Sequence, residues 1–565
     1  DNRCGNGNFF LQGINGDIRL EFVNPVHLSR PFLYTVSASK KRAALHFSAE
    51  LTRESFDETK IERGYDNDFC SLSRSNFGTI PYDRNKKYRI EIIMHSSDGK
   101  KTEKTFSVSP YDMSKFNEKS VFEECQYIEQ DFYVENPVLW WPSNMGEPHL
   151  YDVTVRLLDN GTILDSHSFV YGIRTLSWEY TSAKKQYYDL QPYQLVVNEK
   201  KQFVRGINTM PFDYLLDRDE GREARLLEMV KEAHIGMIRL WGAAGVYASD
   251  SFFNLCDRLG ILVWQDSFTG NVPCPKWDVK VAATLVSANV YRIRKHTSLA
   301  AYCGGNEINP YAPGIAAVLG VIRRTTERLD DTRRFFDTTP LGGSAHIYID
   351  TEPTRFRKSY RDLPLLAESG VHCFPSFASL KKYIPKTEQS GGMDGLSVLW
   401  QENHPGLMCH FVENNTERVP QLLKRTKQIT DVRKSNLEKI CISSQLAAAE
   451  YYQIMCEAMS ENYPHTAGVL PWVLTRAWNT IGAQLIDRST QGLLPYYAVK
   501  NAFAPISPRV SLNEISYAPG EKIRLVVTII NYSGLPFGSI KLEITVYGMA
   551  FEKLFYAERG VDVTK

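Results

Sequence analysis

The sequence predicts a multidomain protein in which an Ig-like β-sandwich precedes a (β/α)8 TIM barrel, and a partial C-terminal β-sandwich follows the barrel. Three observations predict this fold class. The chain has 565 residues, whereas one hydrophobic core usually stops growing near ~250–300 residues. Alternating strand patterns fill the front, and short apolar runs alternate with helical segments in the middle. Alternating strands then return near the C-terminus.

The front of the chain predicts β-structure only. Residues 1–28 are predicted to be the last strands of a larger sandwich, with a strand over 18–23. Residues 29–176 are predicted to form one sandwich of Ig size. Its clearest strand patterns are residues 45–51, 88–94 and 151–157. Asp98-Gly99 and Asn160-Gly161 are typical turn sequences between such strands.

The middle of the chain, residues 177–504, predicts a barrel of eight β/α units. The eight candidate strands are residues 203–206, 237–241, 261–264, 299–303, 334–337, 346–349, 363–367 and 468–472. Helical periodicity predicts helices over 222–233 and from Ser249 onward. No G-x-G-x-x-G motif and no P-loop follows the first strand, which disfavours a doubly wound sheet.

The last segment, residues 505–565, predicts a second sandwich that is only partly present. Strand patterns occupy residues 523–530 and 540–546. The formal net charge of the whole chain is +1, so bulk charge attracts neither nucleic acid nor an anionic membrane. Ten cysteines include no C-x-x-C pair, which argues against a zinc or redox site. Cys256, Cys303, Cys441 and Cys456 lie in apolar runs and are predicted to be buried thiols.

Two glutamates stand where a barrel places catalytic groups, at the C-terminal ends of strands. Strand four runs into Gly304-Gly305-Asn306-Glu307, and strand seven runs into Glu368. We therefore expect Glu307 and Glu368 to face each other across the barrel mouth. Paired carboxylates suit glycoside hydrolysis, in which one protonates the departing oxygen and the other attacks the anomeric carbon. The alternative is that each is a rim carboxylate paired with Arg or Lys.

Longer motifs surround these glutamates in a fixed order. They are residues 136–142 (NPVLWWP), 146–151, 169–174, 238–242 (IRLWG), 249–250, 255–266 (ending VWQD), 296–299, 302–307 (YCGGNE), 366–370 (LAESG) and 374–376. Together they resemble glycoside hydrolase family 2, in particular its β-mannosidase-like branch, over roughly residues 10 to 510. The resemblance implies that residues 1–28 are the remnant of a jelly-roll sugar-binding domain.

The resemblance assigns roles to four residues. It implies Glu307 as general acid/base and Glu368 as nucleophile. Asn306 is expected to hydrogen-bond the sugar 2-hydroxyl, with a local turn residue as the alternative. Arg239 is expected to keep the nucleophile ionised, with an ordinary rim salt bridge as the alternative.

Aromatic side chains are the remaining candidates for sugar binding. Trp241, Tyr348, Trp472 and Trp478 are candidate sugar platforms, and His346 is a candidate contact. The family often has a Trp two residues after the equivalent His, so Tyr348 departs from that pattern. Core packing is the alternative for each ring, and a core or rim position for His346.

The function that the resemblance implies is retaining exo-hydrolysis of terminal β-linked sugars, with β-mannosides preferred. β-Glucosaminides, β-galactosides and β-glucuronides are alternatives within the same chemistry. A non-catalytic carbohydrate-binding scaffold is the alternative of another class. Since both catalytic groups are carboxylates, no cofactor and no metal is expected, and the only partner expected is a carbohydrate. A periplasmic or secreted location follows from the resemblance alone.

Overall fold

We describe the chain from a computed structural model. The structure describes residues 22–24, 26–53, 86–108, 125–183, 189–213, 219–242, 247–270, 278–348, 355–393, 398–411, 418–511, 517–532, 538–548 and 550–563. Most of the predicted remnant 1–28, including residues 18–21 of its predicted strand, lies outside these ranges. None of the described helices combines the length and apolarity needed to cross a bilayer.

The front domain is a two-layer β-sandwich. Its strands are β1 (Val26–Ala38), β2 (Arg42–Arg53), β3 (Tyr88–Ser96), β4 (Lys101–Val108), β5 (Cys125–Glu135), β6 (Tyr151–Asp159) and β7 (Thr162–Tyr171). One sheet has the order β1-β2-β5 and the other β4-β3-β6-β7. Inward side chains such as Phe47, Ile90 and Val155 form the core between them. Gly99 and Gly161 have positive φ in the tight β3–β4 and β6–β7 turns, as the turn sequences predict.

A small antiparallel sheet joins the sandwich to the barrel. It consists of β8 (Leu176–Glu179), β9 (Gln194–Val197) and β10 (Lys200–Gln202), in the order β10-β9-β8. Trp178 packs edge-on against Trp264 and Phe336, at 5.7 and 5.4 Å between ring centroids. This aromatic group belongs to a core cluster that includes the first residues of several barrel strands. The small sheet therefore covers the N-terminal end of the barrel.

The middle of the chain forms one sheet of eight parallel strands. They are β11 (Val204–Thr209), β12 (Met237–Leu240), β13 (Leu262–Gly270), β14 (Leu299–Asn306), β15 (Arg334–Phe336), β16 (Ser344–Ile347), β17 (Leu365–Ser369) and β18 (Gly468–Pro471). Their order is β15-β14-β13-β12-β11-β18-β17-β16. This is the cyclic order of a (β/α)8 barrel opened between strands five and six, which confirms the predicted fold class.

Eleven α-helices lie in the described parts of the chain. They are α1 (Glu220–Glu232), α2 (Asp250–Leu259), α3 (Val279–Ile293), α4 (Ile315–Leu329), α5 (Phe356–Ser359), α6 (Phe377–Leu380), α7 (Val398–Glu402), α8 (Pro405–Met408), α9 (Arg418–Lys427), α10 (Leu437–Glu461) and α11 (Leu494–Ala502). Asp219 and Ser249 cap α1 and α2 by accepting backbone N–H bonds, as their positions before apolar stripes predict.

The fifth β/α unit has no helix, which differs from the regular barrel that the sequence predicts. β15 connects directly to β16 through residues 337–343, all of which are described. Residues 189–193 pack across this connection instead. The N–H of Gln191 donates to the carbonyl of Gly342 at 2.8 Å, and the Tyr193 hydroxyl donates to the carbonyl of Leu341. A segment from before the first barrel strand thus covers the connection.

Two further regions flank the barrel. The chain after β17 forms a helical insertion, α6 to α9, with its own buried cluster that includes Phe374, Trp400 and Leu422. The C-terminal strands are β19 (Ile506–Ser511), β20 (Val526–Asn531), β21 (Gly538–Tyr547) and β22 (Lys553–Val563). They form two antiparallel pairs, β19-β20 and β21-β22. The strand that was predicted from residue 523 begins at Val526.

Candidate active site

The two glutamates at barrel strands four and seven lie close together at the C-terminal face of the barrel. Glu307 directly follows β14, and Glu368 lies within β17. One oxygen of each carboxylate and one ring nitrogen of His346 all lie within 4.8 Å of one another. The Glu368 side chain is 3% exposed and that of Glu307 is 35% exposed. The fold therefore brings together one buried carboxylate and one that reaches solvent.

Glu307 has an unusual backbone conformation. Its φ is 50°, in the left-handed region that non-glycine residues rarely occupy. Its N–H donates to the carbonyl of Thr339 at 2.7 Å, which holds this conformation. The two glycines before Asn306 are needed for close packing, because a Cβ on Gly305 would stand 1.9 Å from Oγ1 of Thr269. Strain of this kind is often found at functional sites.

Glu368 is surrounded by hydrogen-bond donors. Arg239 Nη1 donates to Oε1 at 2.6 Å, and the Tyr348 hydroxyl donates to Oε2 at 2.7 Å. His346 Nδ1 lies 3.4 Å from Oε2 of Glu368 and 2.7 Å from Oε1 of Glu307. Burial and the nearby Glu368 raise the pKa of Tyr348 well above its usual value, so the phenol keeps its proton. These contacts fix the position of the Glu368 carboxylate.

Arg239 connects the strands beneath the two glutamates. It is completely buried and donates to Asp266, Asn208, Asn306 and Glu368. Burial alone lowers the pKa of Arg239, but the adjacent Asp266 and Glu368 carboxylates outweigh burial and raise it. The guanidinium therefore stays positively charged. Its contact with Glu368 is buried, unlike the rim salt bridge that was the alternative interpretation.

Asn306 is fixed by the same guanidinium. Its Oδ1 accepts from Arg239 Nη2 at 2.7 Å, and the residue is 1% exposed. Asn306 also forms a parallel bridge with Thr339, on the connection that follows strand five. Because Oδ1 is oriented toward Arg239, the amide NH2 group is the part of this side chain that is suited to donate to a ligand.

The predicted aromatic residues are not all in one place. Trp241 packs edge-on against Trp472 at 5.5 Å between ring centroids, and Tyr348 is packed against the same small cluster. Trp472 is 9% exposed, and its peptide bond to Val473 is cis. Trp478, by contrast, is 47% exposed and lies beside His410 of the helical insertion. Trp241, Trp472 and Tyr348 form one aromatic wall, and Trp478 lies next to the insertion.

A cavity of about 250 Å³ lies beside this wall. It opens between the segments that follow β11 and β12, and Met210, Phe212, Asp213, Trp241 and Arg488 are among its lining residues. Neither of the two site glutamates lines it. Because Trp241 and Met210 also belong to the cluster around Trp472, the cavity adjoins the aromatic wall.

Some residues of the site were not among those predicted from the sequence. Asp266 and Asn208 bind Arg239, and Arg418 donates to the carbonyl of Tyr348 at 2.8 Å while its guanidinium lies over the Tyr348 ring. Asp266 ends the motif 255–266, so its position after an apolar strand was an available signal. Arg418 lies in the insertion, and no pattern in the sequence connects it to Tyr348.

The arrangement is suited to chemistry that develops positive charge. Asp266 and Glu368 contact the Arg239 guanidinium, and Glu307 contacts His346. With Arg418 over the Tyr348 ring, three carboxylates face two guanidinium groups, so the centre has an excess of negative groups. An oxocarbenium-like transition state is stabilised by such surroundings. One carboxylate is held by donors and the other contacts an imidazole, so the two groups are placed in different environments.

Comparisons with known proteins identify glycoside hydrolases as similar to this chain. A family model described as "Glycosyl hydrolases family 2" matches residues 77–174. Beta-mannosidase B of Aspergillus clavatus is 32% identical over 453 residues, which cover 74% of this chain and 52% of the relative. Beta-mannosidase of Capra hircus is 24% identical over 425 residues, covering 65% of this chain and 46% of the relative. The chain thus spans about half the length of these curated relatives.

Solved structures share the fold. The beta-D-mannosidase of Dictyoglomus thermophilum superposes with a TM-score of 0.74 at 20% sequence identity, covering 96% of this chain and 62% of that one. An exo-chitosanase of Amycolatopsis orientalis superposes with a TM-score of 0.70 at 18% identity, covering 96% and 59%. At these identities the likeness concerns the fold.

Proposed function

This chain belongs to glycoside hydrolase family 2, and on that premise we propose that it is a retaining exo-β-glycosidase acting on terminal β-mannosides. The observation that carries the proposal is the approach of Glu307 and Glu368 to within 4.8 Å. Retaining enzymes separate their carboxyl groups by about 5–5.5 Å, and inverting enzymes by about 6.5–9.5 Å. The short gap favours direct attack by Glu368 over attack by an intervening water.

In the first step, Glu368 attacks the anomeric carbon while Glu307 gives its proton to the departing oxygen. Arg239 and Tyr348 hold Glu368 in place for this attack. Asn306 is positioned to donate to the 2-hydroxyl, a contact that strengthens in the transition state. The product is a covalent glycosyl ester on Glu368.

In the second step, Glu307 changes from acid to base. It removes a proton from a water molecule, which attacks the anomeric carbon and releases Glu368. The 35% exposure of the Glu307 side chain suits both roles, since the leaving group departs and water arrives on its side. His346 contacts Glu307 at 2.7 Å and orients it between the two steps.

β-Mannose is the proposed sugar because two curated relatives, which match 65% and 74% of this chain, are named beta-mannosidases. We assign Trp241, Trp472 and Tyr348 to the wall against which the sugar stacks. Trp478 is assigned to the outer part of the cleft, beside the helical insertion. A structural neighbour that is an exo-chitosanase makes β-glucosaminides the second substrate to test.

The test is a panel of aryl β-glycosides: mannoside, glucosaminide, galactoside, glucuronide and glucoside. We expect turnover of the mannoside, with proton NMR showing the β-anomer of mannose as the first product. Turnover of another member alone would replace the proposed sugar, and first release of the α-anomer would overturn the retaining mechanism.

Glu368→Gln is the matched variant for the same assay. It keeps the size of the side chain but removes the nucleophile, so we expect turnover to fall by at least about 10⁴-fold. Glu438→Gln is a control that makes the same change at an exposed position of α10, away from the cleft. Near-native turnover by Glu368→Gln would refute the assignment of the nucleophile.

A further inference from the structure

His346 places an imidazole nitrogen between the two proposed catalytic carboxylates. Its Nδ1 lies 2.7 Å from Oε1 of Glu307 and 3.4 Å from Oε2 of Glu368. One nitrogen and two carboxylate oxygens thus converge within 4.8 Å. Imidazole nitrogens and carboxylate oxygens are both common zinc ligands, and three protein ligands with an open fourth position are typical of accessible zinc sites.

The distances are compatible with an ion at the centre of the three atoms. Zinc binds nitrogen and oxygen at about 2.0–2.2 Å, so the donor atoms of a tetrahedral site lie roughly 3.3–3.6 Å apart. Nδ1 of His346 lies 2.7 Å from the Glu307 oxygen and 3.4 Å from the Glu368 oxygen, and all three atoms lie within 4.8 Å of one another. These distances span the range that zinc requires. Small side-chain rotations would therefore equalise the three distances.

Nδ1 of His346 is hydrogen-bonded to Oε1 of Glu307 at 2.7 Å, so a bound ion would replace this hydrogen bond. Nε2 of the same ring is buried and has no hydrogen-bond partner among the residues that the structure describes. An ion bound at Nδ1 would require the ring proton to lie on Nε2, as in other metal-bound imidazoles. The ring itself is held by burial, since its side chain is only 4% exposed.

The surrounding charges favour a cation. Glu307, Glu368 and Asp266 contribute three carboxylates. Two guanidinium groups oppose them, that of Arg239 and that of Arg418 over the Tyr348 ring. The Tyr348 hydroxyl on Glu368 is neutral. Exposure is confined to the Glu307 side of the cluster, which gives an ion a path from the cleft and encloses it on the other sides.

We propose that Glu307, His346 and Glu368 form a zinc site that competes with the sugar, so that zinc inhibits this chain. The inhibition by zinc rests on the proposed function, whereas zinc binding depends only on the three side chains. A zinc ion bound to Glu368 would occupy the carboxylate that attacks the anomeric carbon. Bound to Glu307, it would displace the proton needed by the leaving group.

The test is calorimetric titration of the metal-free full chain with zinc chloride, comparing wild type with His346→Gln. We expect one zinc ion per chain in the wild type and at least about tenfold weaker binding in the variant. Glu307→Gln should weaken binding similarly, so the result does not depend on one variant. Circular dichroism and melting temperature would establish that both variants are folded.

His46→Gln is the matched control. His46 also contacts two carboxylates, but Glu129 approaches Nε2 and Asp131 approaches Nδ1, so the three cannot converge on one ion. Binding should be unchanged in this variant. Equal zinc affinity in wild type and in the folded His346→Gln and Glu307→Gln variants would overturn the proposal, as would loss of binding in His46→Gln.

A second measurement separates this proposal from the proposed function. Zinc should inhibit hydrolysis of an active aryl glycoside competitively, and EDTA should restore the rate. If no glycoside is hydrolysed, the proposed function fails while calorimetry still decides the zinc site. Noncompetitive inhibition with an unchanged Michaelis constant would contradict shared occupancy of the two carboxylates.

Discussion

Arg239 shows how a single buried residue stabilises the charge of the proposed nucleophile. The guanidinium and Glu368 are both almost completely buried, and each would be costly to bury alone. Asp266 supplies the second carboxylate, and Asn208 and Asn306 supply neutral acceptors. The charges are thus paired and hydrogen-bonded as a group, which is the condition under which buried ions are tolerated.

Glu307→Ala tests the acid/base role through the leaving group. The variant lacks the proton donor, so kcat/KM for a mannobioside should fall by about 10²–10⁴-fold. An activated dinitrophenyl mannoside needs no protonation and should lose far less in its first step. Glu402→Ala, at an exposed position of α7, is the control. Equal losses on both substrates would exclude Glu307 as the acid.

His372→Gln tests a buried histidine four residues after Glu368. Burial, with Arg476 and Arg418 nearby, lowers the pKa of His372 to about 3. Below its usual pKa of ~6.5, the unfolded chain binds a proton that the native state does not bind. This histidine therefore reduces the free energy of unfolding as the pH falls from ~6.5 toward 3, by up to about 1.4 kcal/mol per pH unit.

The glutamine variant has no group that titrates there, and within the described part of the chain Nδ1 of His372 has no hydrogen-bond partner to lose. Its stability relative to wild type should therefore increase as the pH is lowered from about 6 to about 4.5, as measured by urea unfolding. His95→Gln, at an exposed position of β3, is the control. A stability difference that is constant across this range would contradict the low pKa.

The sequence was sufficient to choose Glu307 and Glu368 because strand ends of a barrel are identifiable from apolar runs. For Asp266 the sequence offered only its position at the end of a motif, and its contact with Arg239 appears only in the structure. Arg418 could not be predicted, since its contact with Tyr348 joins residues 70 positions apart and depends on how the insertion folds back.

Among the secondary-structure elements, the connection between β15 and β16 is the main departure from a regular barrel. The carbonyl of its residue Thr339 holds the N–H of Glu307, and residues 189–193 pack on its other side. Gly342 has φ of 44°, and a Cβ there would stand 1.9 Å from the carbonyl oxygen of Asp189. The position of Glu307 thus depends on packing outside the barrel.

Gly342→Ala tests that packing. The methyl group would collide with the Asp189 backbone, so we expect a loss of stability of at least about 3 kcal/mol. Gly391→Ala is the matched control, because Gly391 also has positive φ but a Cβ added there would meet no described atom within 4 Å. It should lose only about 1–2 kcal/mol. Equal losses in urea unfolding would mean that the two segments do not pack tightly.

The eight strands could be predicted because each is a short apolar run with a β-branched or aromatic content typical of a buried strand. For the missing fifth helix, the sequence does not predict which residues take its place. Residues 337–343 are too few for a helix and return, but only the structure shows that Gln191 and Tyr193 pack there instead. That contact joins residues far apart in sequence.

At the scale of the whole molecule, the front sandwich and the barrel share a buried polar interface. Arg174 donates to the carbonyls of Thr297 and Leu299 at 2.7–2.9 Å, and the N–H of Gly172 donates to Oγ1 of Thr297. Nε1 of Trp140 donates to the carbonyl of Asp257. These groups are buried, so the two domains depend on each other for hydrogen bonding.

Arg174→Met tests this dependence. The variant keeps much of the apolar volume but removes both Arg174 hydrogen bonds to the Thr297 carbonyl and the shorter of two side-chain hydrogen bonds to the Leu299 carbonyl. This loss should cost about 3 kcal/mol. Calorimetry should show a lower melting temperature and a separation of the sandwich and barrel transitions. Arg42→Met, which removes an exposed pair with Glu135, should change stability by less than about 0.5 kcal/mol. An unchanged thermogram for Arg174→Met would argue against coupling.

The contact between Tyr193 and Leu341 also has a consequence for the order of events during synthesis. The two residues are 148 positions apart, so at about 5–20 residues per second the ribosome needs roughly 7–30 s to deliver the second after the first. Throughout that interval the segment 189–193 has been made but its partner has not. The support behind Glu307 is therefore among the later features that a newly made chain can acquire.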